Sequence, residues 1–204
     1  MKSVLMSIQP KWCELIASGK KTVEVRKTKP KIDVPFKCYI YETKDKKFEN
    51  IGVCGHKADG TPYIYKHNGG KVIGEFICNA IISHCEMANA DIAEYQGCIK
   101  REKLFEYAKG KELYGWHISD LVIYDKPREL SEFHLARHCF NYKNVDIVEN
   151  AMGDYVTQYF NNSLCRRCMN YDNGLNWCEK IDGKKAITRP PQSWCYVEGV
   201  NINA

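Results

Sequence analysis

The sequence predicts an α+β fold: a small mixed β-barrel with flanking helices, interrupted late in the chain by a metal-binding insert. Three observations predict it. Short segments that alternate apolar and polar residues recur through residues 1–131, with few helical patterns between them. The pattern changes over residues 132–185, where large aliphatic side chains are few and cysteines are dense. Strand-like alternation returns within residues 186–204, and we expect this segment to close the barrel.

The first elements follow from local signals. Residues 2–8 are predicted to form a strand. A helix should begin at Pro10, because proline is favoured at the first helical position, and end at Gly19. The strict alternation over residues 22–26 predicts a second strand, and residues 37–42 a third.

The middle of the chain is less regular. Residues 43–70 are polar and dotted with glycine, which indicates an exposed loop with a short hairpin at residues 61–65. Residues 71–82 form the longest strand-like run. Residues 88–108 have a helical character that is broken near Gly97, and residues 117–124 return to a strand pattern. Within the insert we predict a helix over residues 145–160, and after it a strand over residues 193–197.

Composition limits the class of protein. At 204 residues with 44% hydrophobic and 27% charged residues, the chain can bury a core and is not expected to be disordered. No apolar run reaches the length that crosses a bilayer, and the first ten residues do not resemble a signal peptide, so we expect a cytoplasmic protein. The net charge of +5 permits an anionic partner such as nucleic acid without requiring one.

The polar face of the second strand is the first candidate site. Thr22, Glu24 and Arg26 share one face of that strand, and Lys21 precedes them. This face is either the solvated outside of a sheet or the wall of a site. Glu75 favours a site, because it lies among apolar residues and a buried carboxylate needs a cationic partner such as Lys21 or Arg26. We therefore expect Lys21 and Glu75 to meet on the inner wall of the barrel.

Three motifs carry a resemblance to a known family. They are Gly19-x-Lys21-Thr22-x-Glu24-x-Arg26, the later Gly74-Glu75-Phe76, and the ending over residues 189–197, which reads Arg-Pro-Pro-Gln-Ser-Trp-Cys-Tyr-Val. In this order they resemble ASCH domains, which belong to the PUA-like superfamily. The resemblance covers roughly residues 1–130 and the last fifteen or so. It implies a β-barrel whose cleft suits RNA or a modified nucleoside.

The first function that the resemblance implies is a binding module for RNA or a nucleotide. Glu24 would accept a hydrogen bond from an exocyclic amine, Arg26 would hold a phosphate, and an aromatic ring would stack on a base. The candidate ligand-binding residues are Lys21, Thr22, Glu24, Arg26, Trp12, Tyr39 and Trp194.

The alternative is an enzyme of the same cleft, and the sequence leaves the choice open. One bacterial branch of the family consists of amidohydrolases that remove the acetyl group from N4-acetylcytidine. By that resemblance Glu75 would activate water and Lys21 would stabilise the oxyanion. Glu24, the third catalytic candidate, stands where this branch has a threonine, so the chain departs from the pattern at that position. A ribonuclease is a further enzymatic possibility.

The insert contains the second candidate site. Cys165 and Cys168 form a CxxC pair around two arginines, and Cys178 follows. Two thiolates at this spacing can bind one tetrahedral metal ion, and a closed structural site needs a fourth ligand. Cys139 is our first choice for it and Cys195 the alternative. We expect structural zinc, with an iron–sulfur cluster as the competing cofactor and four unrelated free thiols as the third interpretation.

Basic residues are frequent in the insert. They include Arg137, Arg166, Arg167, Lys180, Lys184 and Lys185. These charges would contact phosphates beside the cleft, bind a protein partner, or only be hydrated. A regulatory protein that binds its partner through the insert is therefore the third functional hypothesis.

Overall fold

The computed structural model describes residues 2–49, 51–57, 59–83, 91–135, 145–149, 155–159, 171–172, 177–178 and 186–198. Two α-helices are described, α1 (Pro10–Ala17) and α2 (Arg101–Ala108), and a π-helical segment covers Asp91–Gln96. The strands are β1 (Lys2–Ile8), β2 (Val23–Arg26), β3 (Phe36–Glu42), β4 (Gly52–His56), β5 (Pro62–Lys66), β6 (Lys71–Ile82), β7 (Tyr114–Glu129), β8 (Val145–Glu149), β9 (Tyr155–Tyr159), β10 (Tyr171–Asp172), β11 (Trp177–Cys178) and β12 (Trp194–Glu198).

Six of these strands form one mixed sheet in the order β12-β1-β3-β6-β7-β2. The β1–β3 pair is parallel and the other neighbours are antiparallel. The sheet curves into a half-barrel, and within the described ranges its edge strands β12 and β2 do not pair with each other. The predicted α+β class and the mixed β-structure are confirmed, and the strand predicted over residues 193–197 does belong to the barrel sheet.

Both faces of this sheet are buried. The first core cluster, on one face, contains Val4, Met6, Ile8, Cys13, Ile16, Phe36, Cys38, Ile40, Tyr65, Ile73, Phe76, Cys78, Trp116 and Ile118. The second core cluster, on the opposite face, contains Leu5, Tyr39, Tyr41, Val72, Leu130, Phe133, Ile187 and Val197. The third joins Val23 and Val25 of β2 to Ala93, Leu104, Ala108 and Leu113 around the two helical segments. Strand alternation distributes the apolar residues of β1, β3 and β6 between the first two clusters.

The predicted loop over residues 43–70 contains more structure than expected. The short hairpin expected at residues 61–65 is instead a single strand, β5, which pairs antiparallel with β4. The helix predicted over residues 145–160 is wrong, because β8 and β9 pair antiparallel there. Strands β8 and β9 are rich in β-branched and aromatic residues, and this strand propensity outweighs the helical spacing of the segment.

The chain leaves and re-enters the barrel at nearly the same place. His134 bridges Ala186, and the amide of Ile187 donates to the carbonyl of Phe133 at 2.9 Å. Leu135 bridges Val197 of β12. The two ends of the predicted insert are therefore neighbours, although its boundaries at residues 132 and 185 remain predictions. No helix in the described ranges has the length and apolar character needed to span a bilayer.

Candidate functional site

A cleft of about 910 Å³ opens beside the N-terminal end of α1. This volume lies within the range of about 300–1,000 Å³ that is typical of small-molecule sites. Strand β2 forms its floor, and the segments 98–107 and 190–192 contribute to its walls. The side chains that matter most for its chemistry are Trp12, Lys21, Glu24, Arg26, Cys98 and Tyr107.

The polar face of β2 is buried. Val23 and Val25 point into the third core cluster, so Glu24 and Arg26 point to the other face of the strand. There Glu24 lies opposite Trp116, a member of the first core cluster. The Glu24 and Arg26 side chains are only 8% and 9% exposed. The interpretation of this face as a solvated outer surface is therefore wrong.

Three charged groups form a continuous chain on the cleft floor. The ammonium of Lys21 lies 3.5 Å from one carboxylate oxygen of Glu24, and Nη2 of Arg26 lies 3.0 Å from the other. The carboxylate is thus held between two cations. Because two positive charges share one negative charge, the floor has a surplus of one positive charge.

Lys21 is the most deeply buried member of this chain. None of its side-chain surface is exposed, and its ammonium donates to the carbonyl of Gly97 at 2.5 Å. Burial lowers the pKa of Lys21 from its ordinary value, and the neighbouring Glu24 carboxylate opposes that shift. Although Lys21 borders the cleft, its ammonium is shielded from solvent, and its contact there is with Glu24.

Arg26 is held firmly and yet retains an unused donor. Its Nη2 donates to the carbonyl of Ser7 at 2.7 Å, and its Nη1 donates to Oγ of Ser193 at 3.4 Å. Its Nε is buried and has no hydrogen-bond partner among the described residues. A buried donor without a partner is unfavourable, so an acceptor atom supplied by a ligand or water would stabilise this site.

Aromatic and basic side chains form the walls. The Trp12 ring centroid lies 4.4 Å from the ammonium of Lys11 and 5.0 Å from that of Lys21. Tyr107 contributes from α2, as does Lys103 one turn earlier. Lys103 and Tyr107 were not among the predicted site residues, although their i, i+4 spacing in a helical segment indicates that they share one face.

Cys98 is a further cleft residue that the sequence did not single out. It has a left-handed backbone conformation with φ of 54°, which is uncommon for a residue with a side chain. Its thiol is directed to the carbonyl of Lys20 at 3.4 Å. Burial raises the pKa of this thiol, with the positive charge of Lys21 acting in the opposite direction. Cys98 is therefore a protonated, half-buried side chain at neutral pH.

Glu75 is not part of this cleft, so the expected meeting of Lys21 with Glu75 is wrong. One Glu75 oxygen lies 2.7 Å from the Lys37 ammonium, and the other accepts from the Tyr124 hydroxyl at 2.7 Å. In register Glu75 lies opposite Tyr39, which belongs to the second core cluster. Glu75 and Glu24 consequently occupy opposite faces of the sheet. The cause is a bulge in β6 between Val72 and Gly74, which shifts the alternation by one residue.

The other predicted ligand-binding residues are divided between cleft and core. Trp12 lines the cleft. Tyr39 is fully buried against Phe133, with ring centroids 4.9 Å apart, so it cannot stack on a ligand. Trp194 packs on Trp116 and donates to Oγ1 of Thr28 at 3.0 Å. Thr22 fixes the strand through its backbone, since its amide donates to the carbonyl of Gln96 at 2.9 Å.

The predicted metal ligands fall largely outside the described residues. This is so for Cys139, Cys165 and Cys168, while Cys178 is described only as backbone in β11. Cys195 is a free thiol in β12, opposite Leu5 of β1, and burial raises its pKa to about 11. In the described part of the chain, no group of three or more His, Cys, Asp or Glu side chains is arranged to hold a metal ion.

The family model described as ASCH domain matches residues 6–149. A crystal structure of ASCH from Zymomonas mobilis is similar, with 19% identity, coverage of 63% of this chain and 73% of that one, and a TM-score of 0.45. A point mutant of the same protein is 20% identical over 64% of this chain and 77% of that one, with a TM-score of 0.44. No curated protein matches the chain.

Proposed function

The chain belongs to the ASCH domain family, and from that membership we propose that it binds RNA or a nucleotide in the cleft above Lys21, Glu24 and Arg26. The observation that carries the proposal is the buried surplus of positive charge on the cleft floor. A phosphate oxygen at the guanidinium of Arg26 would neutralise this surplus through a charge-assisted hydrogen bond.

The charges on the walls support the same class of ligand. Lys11 and Lys100 line the cleft in addition to the two cations of the floor, whereas Glu24 is the single carboxylate among the lining residues. Lys103 lines it too, with its ammonium paired to Glu106 at 2.8 Å. Such an excess attracts phosphates, and single-stranded nucleic acids bind in grooves of this kind.

The cleft also offers an aromatic surface for a base. Trp12 lines it close to the charged floor, and Tyr107 lines it from α2. Stacking of a base on an aromatic ring contributes about 1–3 kcal/mol. A base stacked on Trp12 would bring its polar edge toward Glu24, whose carboxylate accepts from an amino or imino group.

Replacing Arg26 with Ala is expected to lower the affinity for a single-stranded oligoribonucleotide about tenfold, because the variant has no guanidinium to form a charge-assisted hydrogen bond with phosphate. The affinity of Arg26→Lys should lie between those of Arg26→Ala and the unmodified protein, since lysine retains the charge and lacks the planar fork of the guanidinium. Fluorescence anisotropy at fixed salt, with circular dichroism to verify folding, measures both.

Lys37→Ala is the matched control, because it removes one positive charge from the opposite face of the sheet. It should leave the affinity within about twofold of the unmodified protein. An equal loss of affinity in Arg26→Ala and Lys37→Ala would show that binding depends on net charge alone, and the cleft would no longer be the site.

The amidohydrolase alternative is less well supported by the geometry. Its proposed base, Glu75, is bonded to Lys37 and Tyr124 on the face of the sheet away from the cleft. Its proposed oxyanion donor, Lys21, is shielded from solvent. We therefore place binding first. The deacetylation of N4-acetylcytidine can be monitored by ultraviolet absorbance. Activity in the unmodified protein that is abolished in Glu75→Gln would place the amidohydrolase first.

We further propose that Cys139, Cys165, Cys168 and Cys178 hold one structural zinc ion, with Cys195 as the alternative fourth ligand. Four thiolates suit tetrahedral zinc, and they equally suit an iron–sulfur cluster. In the short β10–β11 ladder, Cys178 lies opposite Tyr171, which follows Cys168 by three residues in the sequence. The half-buried thiol of Cys195 in the barrel sheet favours Cys139 as fourth ligand.

Buried free thiols such as Cys13 and Cys38 suit a reducing cytoplasm.

Purified protein is expected to contain about one equivalent of zinc, because one set of four thiolates binds one ion. Elemental analysis should show that Cys165→Ser with Cys168→Ser removes it, whereas Cys195→Ser retains it. A brown, iron-containing sample would replace zinc by an iron–sulfur cluster, and loss of zinc in Cys195→Ser would make that residue the fourth ligand.

A further inference from the structure

A second cleft of about 510 Å³ adjoins the first and is not used by the proposed site. It lies between the start of α1, the segment after β3 and the segment after β5. Lys44, Lys46, Lys66 and Lys71 line it, together with the half-buried ring of Phe48.

Its cations are more available than its carboxylates. Lys44, Lys46 and Lys66 are exposed, and their ammonium groups form no ion pair with any residue that the structure describes. Lys71 is engaged with Glu129 at 2.8 Å. Of the three lining carboxylates, Glu42 is fully buried, which leaves Asp45 and Glu49 at the surface. Asp45 already accepts from the backbone amide of Lys47 at 3.0 Å.

Buried hydrogen bonds hold the backbone of this cleft in place. The Glu42 carboxylate bonds to Nδ1 of His67 at 2.6 Å, to the amide of Asn68 at 2.6 Å and to the Tyr65 hydroxyl at 3.2 Å. The carbonyl of Glu42 accepts from the amide of Gly70 at 2.8 Å. Lysines carried by a fixed backbone bind a polyanion with less loss of conformational entropy than lysines on a mobile loop.

The two clefts share a rim. Gln9 and Lys11 line the first cleft, and Pro10 between them lines the second. Likewise Thr43 lines the first, and its neighbour Lys44 lines the second. Helix α1 begins at Pro10 on this rim, and the partial positive charge of its N-terminus adds to that of the lysines.

We propose that both clefts form one track for single-stranded RNA, with one nucleotide in the first cleft and the phosphates of its neighbours on Lys44, Lys46 and Lys66. This inference rests on the proposed function and extends it, because a free nucleotide would occupy the first cleft alone. The ligand is therefore a stretch of several nucleotides, held across the rim at the start of α1.

Binding of UMP and of a uridine octanucleotide, measured over a series of salt concentrations, tests the track. We expect the octanucleotide to bind at least about tenfold more tightly than UMP. In the triple variant Lys44→Ala, Lys46→Ala, Lys66→Ala, the octanucleotide should lose that advantage while UMP affinity is unchanged. The slope of log K against log salt should become shallower by about 0.7 for each phosphate that is no longer neutralised by a lysine.

A second triple variant controls for net charge. Lys109→Ala, Lys111→Ala and Lys126→Ala remove the same charge from exposed positions that line neither cleft. Equal losses of affinity in both triple variants, or an octanucleotide that binds no better than UMP, would overturn the track and leave the first cleft as the site. Failure of both ligands to bind the unmodified protein would overturn the proposed function as well.

Discussion

Replacing Glu24 with Gln is expected to lower the free energy of unfolding by about 3–5 kcal/mol. The carboxylate lies between the Lys21 ammonium at 3.5 Å and the Arg26 guanidinium at 3.0 Å, and all three side chains are at least nine-tenths buried. Glutamine has nearly the same shape, so the change removes the charge and little packing. Two buried cations would then remain without a counter-charge, and urea denaturation monitored by circular dichroism measures the loss of stability.

The same variant should be less destabilised at alkaline pH. Burial already lowers the pKa of Lys21 below its ordinary value of 10.5, and Glu24 is the main group that raises it. Without Glu24 that pKa falls further. Between the folded-state pKa and 10.5 the unfolded chain binds more protons than the folded one, so stability rises with pH across this window.

Two controls separate this effect from a general loss of charge. Glu106→Gln breaks the exposed Lys103–Glu106 pair, and its stability should change by less than about 0.5 kcal/mol. In Lys21→Met with Glu24→Gln, the uncompensated ammonium is gone, so the double variant should be more stable than Glu24→Gln alone. If the loss of stability in the double variant equalled the sum of the losses in Lys21→Met and in Glu24→Gln, Lys21 and Glu24 would not be a coupled buried pair.

The sequence predicted the cleft floor because the local signals there agree. Pro10 and Gly19 bound a short helix, and the alternation after it separates Val23 and Val25 from Glu24 and Arg26. A strand obeys this alternation whatever its surroundings, so the charged face could be identified before its partners were known. The sequence also placed that face on the inner wall, but through a pairing with Glu75 that does not form, because the residues that bury the face come from distant parts of the chain.

The position of Glu75 could not be predicted for a related reason. Strict alternation would place Glu75 on the same face as Ile73, which belongs to the first core cluster. The bulge beside Gly74 instead places Glu75 with Val72 and Tyr39. One additional residue in a strand reverses the orientation of every side chain that follows, and a single glycine is weak evidence for it.

The residues of the cleft walls were only partly predictable from the sequence. Lys103 and Tyr107 share a helix face that the sequence shows, yet only the packing of α2 on β2 brings that face to the site. Trp12 was identified among three candidate aromatic residues, and the other two, Tyr39 and Trp194, pack in the sheet. Aromatic residues in cores and in sites have the same local pattern, so the structure was needed to distinguish them.

Gly74→Ala is expected to destabilise the protein by about 1–3 kcal/mol, because the site has no room for one more carbon atom. A Cβ at Gly74 would overlap the backbone carbonyl oxygen of Val122 and lie 3.1 Å from Cα of Ile123. These are main-chain atoms of the neighbouring strand β7, so they cannot rotate away as a side chain would. The bulge of β6 would have to shift, together with its hydrogen bonds to β7.

Gly52→Ala is the matched control for that substitution, since both glycines lie in strands and neither has a left-handed backbone. Nothing lies within 4 Å of a Cβ at Gly52, so alanine should be neutral there, or stabilising by up to about 1 kcal/mol through the unfolded state. Thermal and urea unfolding of the two variants measure the difference. Equal stabilities would mean that β6 and β7 can separate without cost, and the close approach at Gly74 would then not be what fixes the bulge and turns Glu75 away from the cleft.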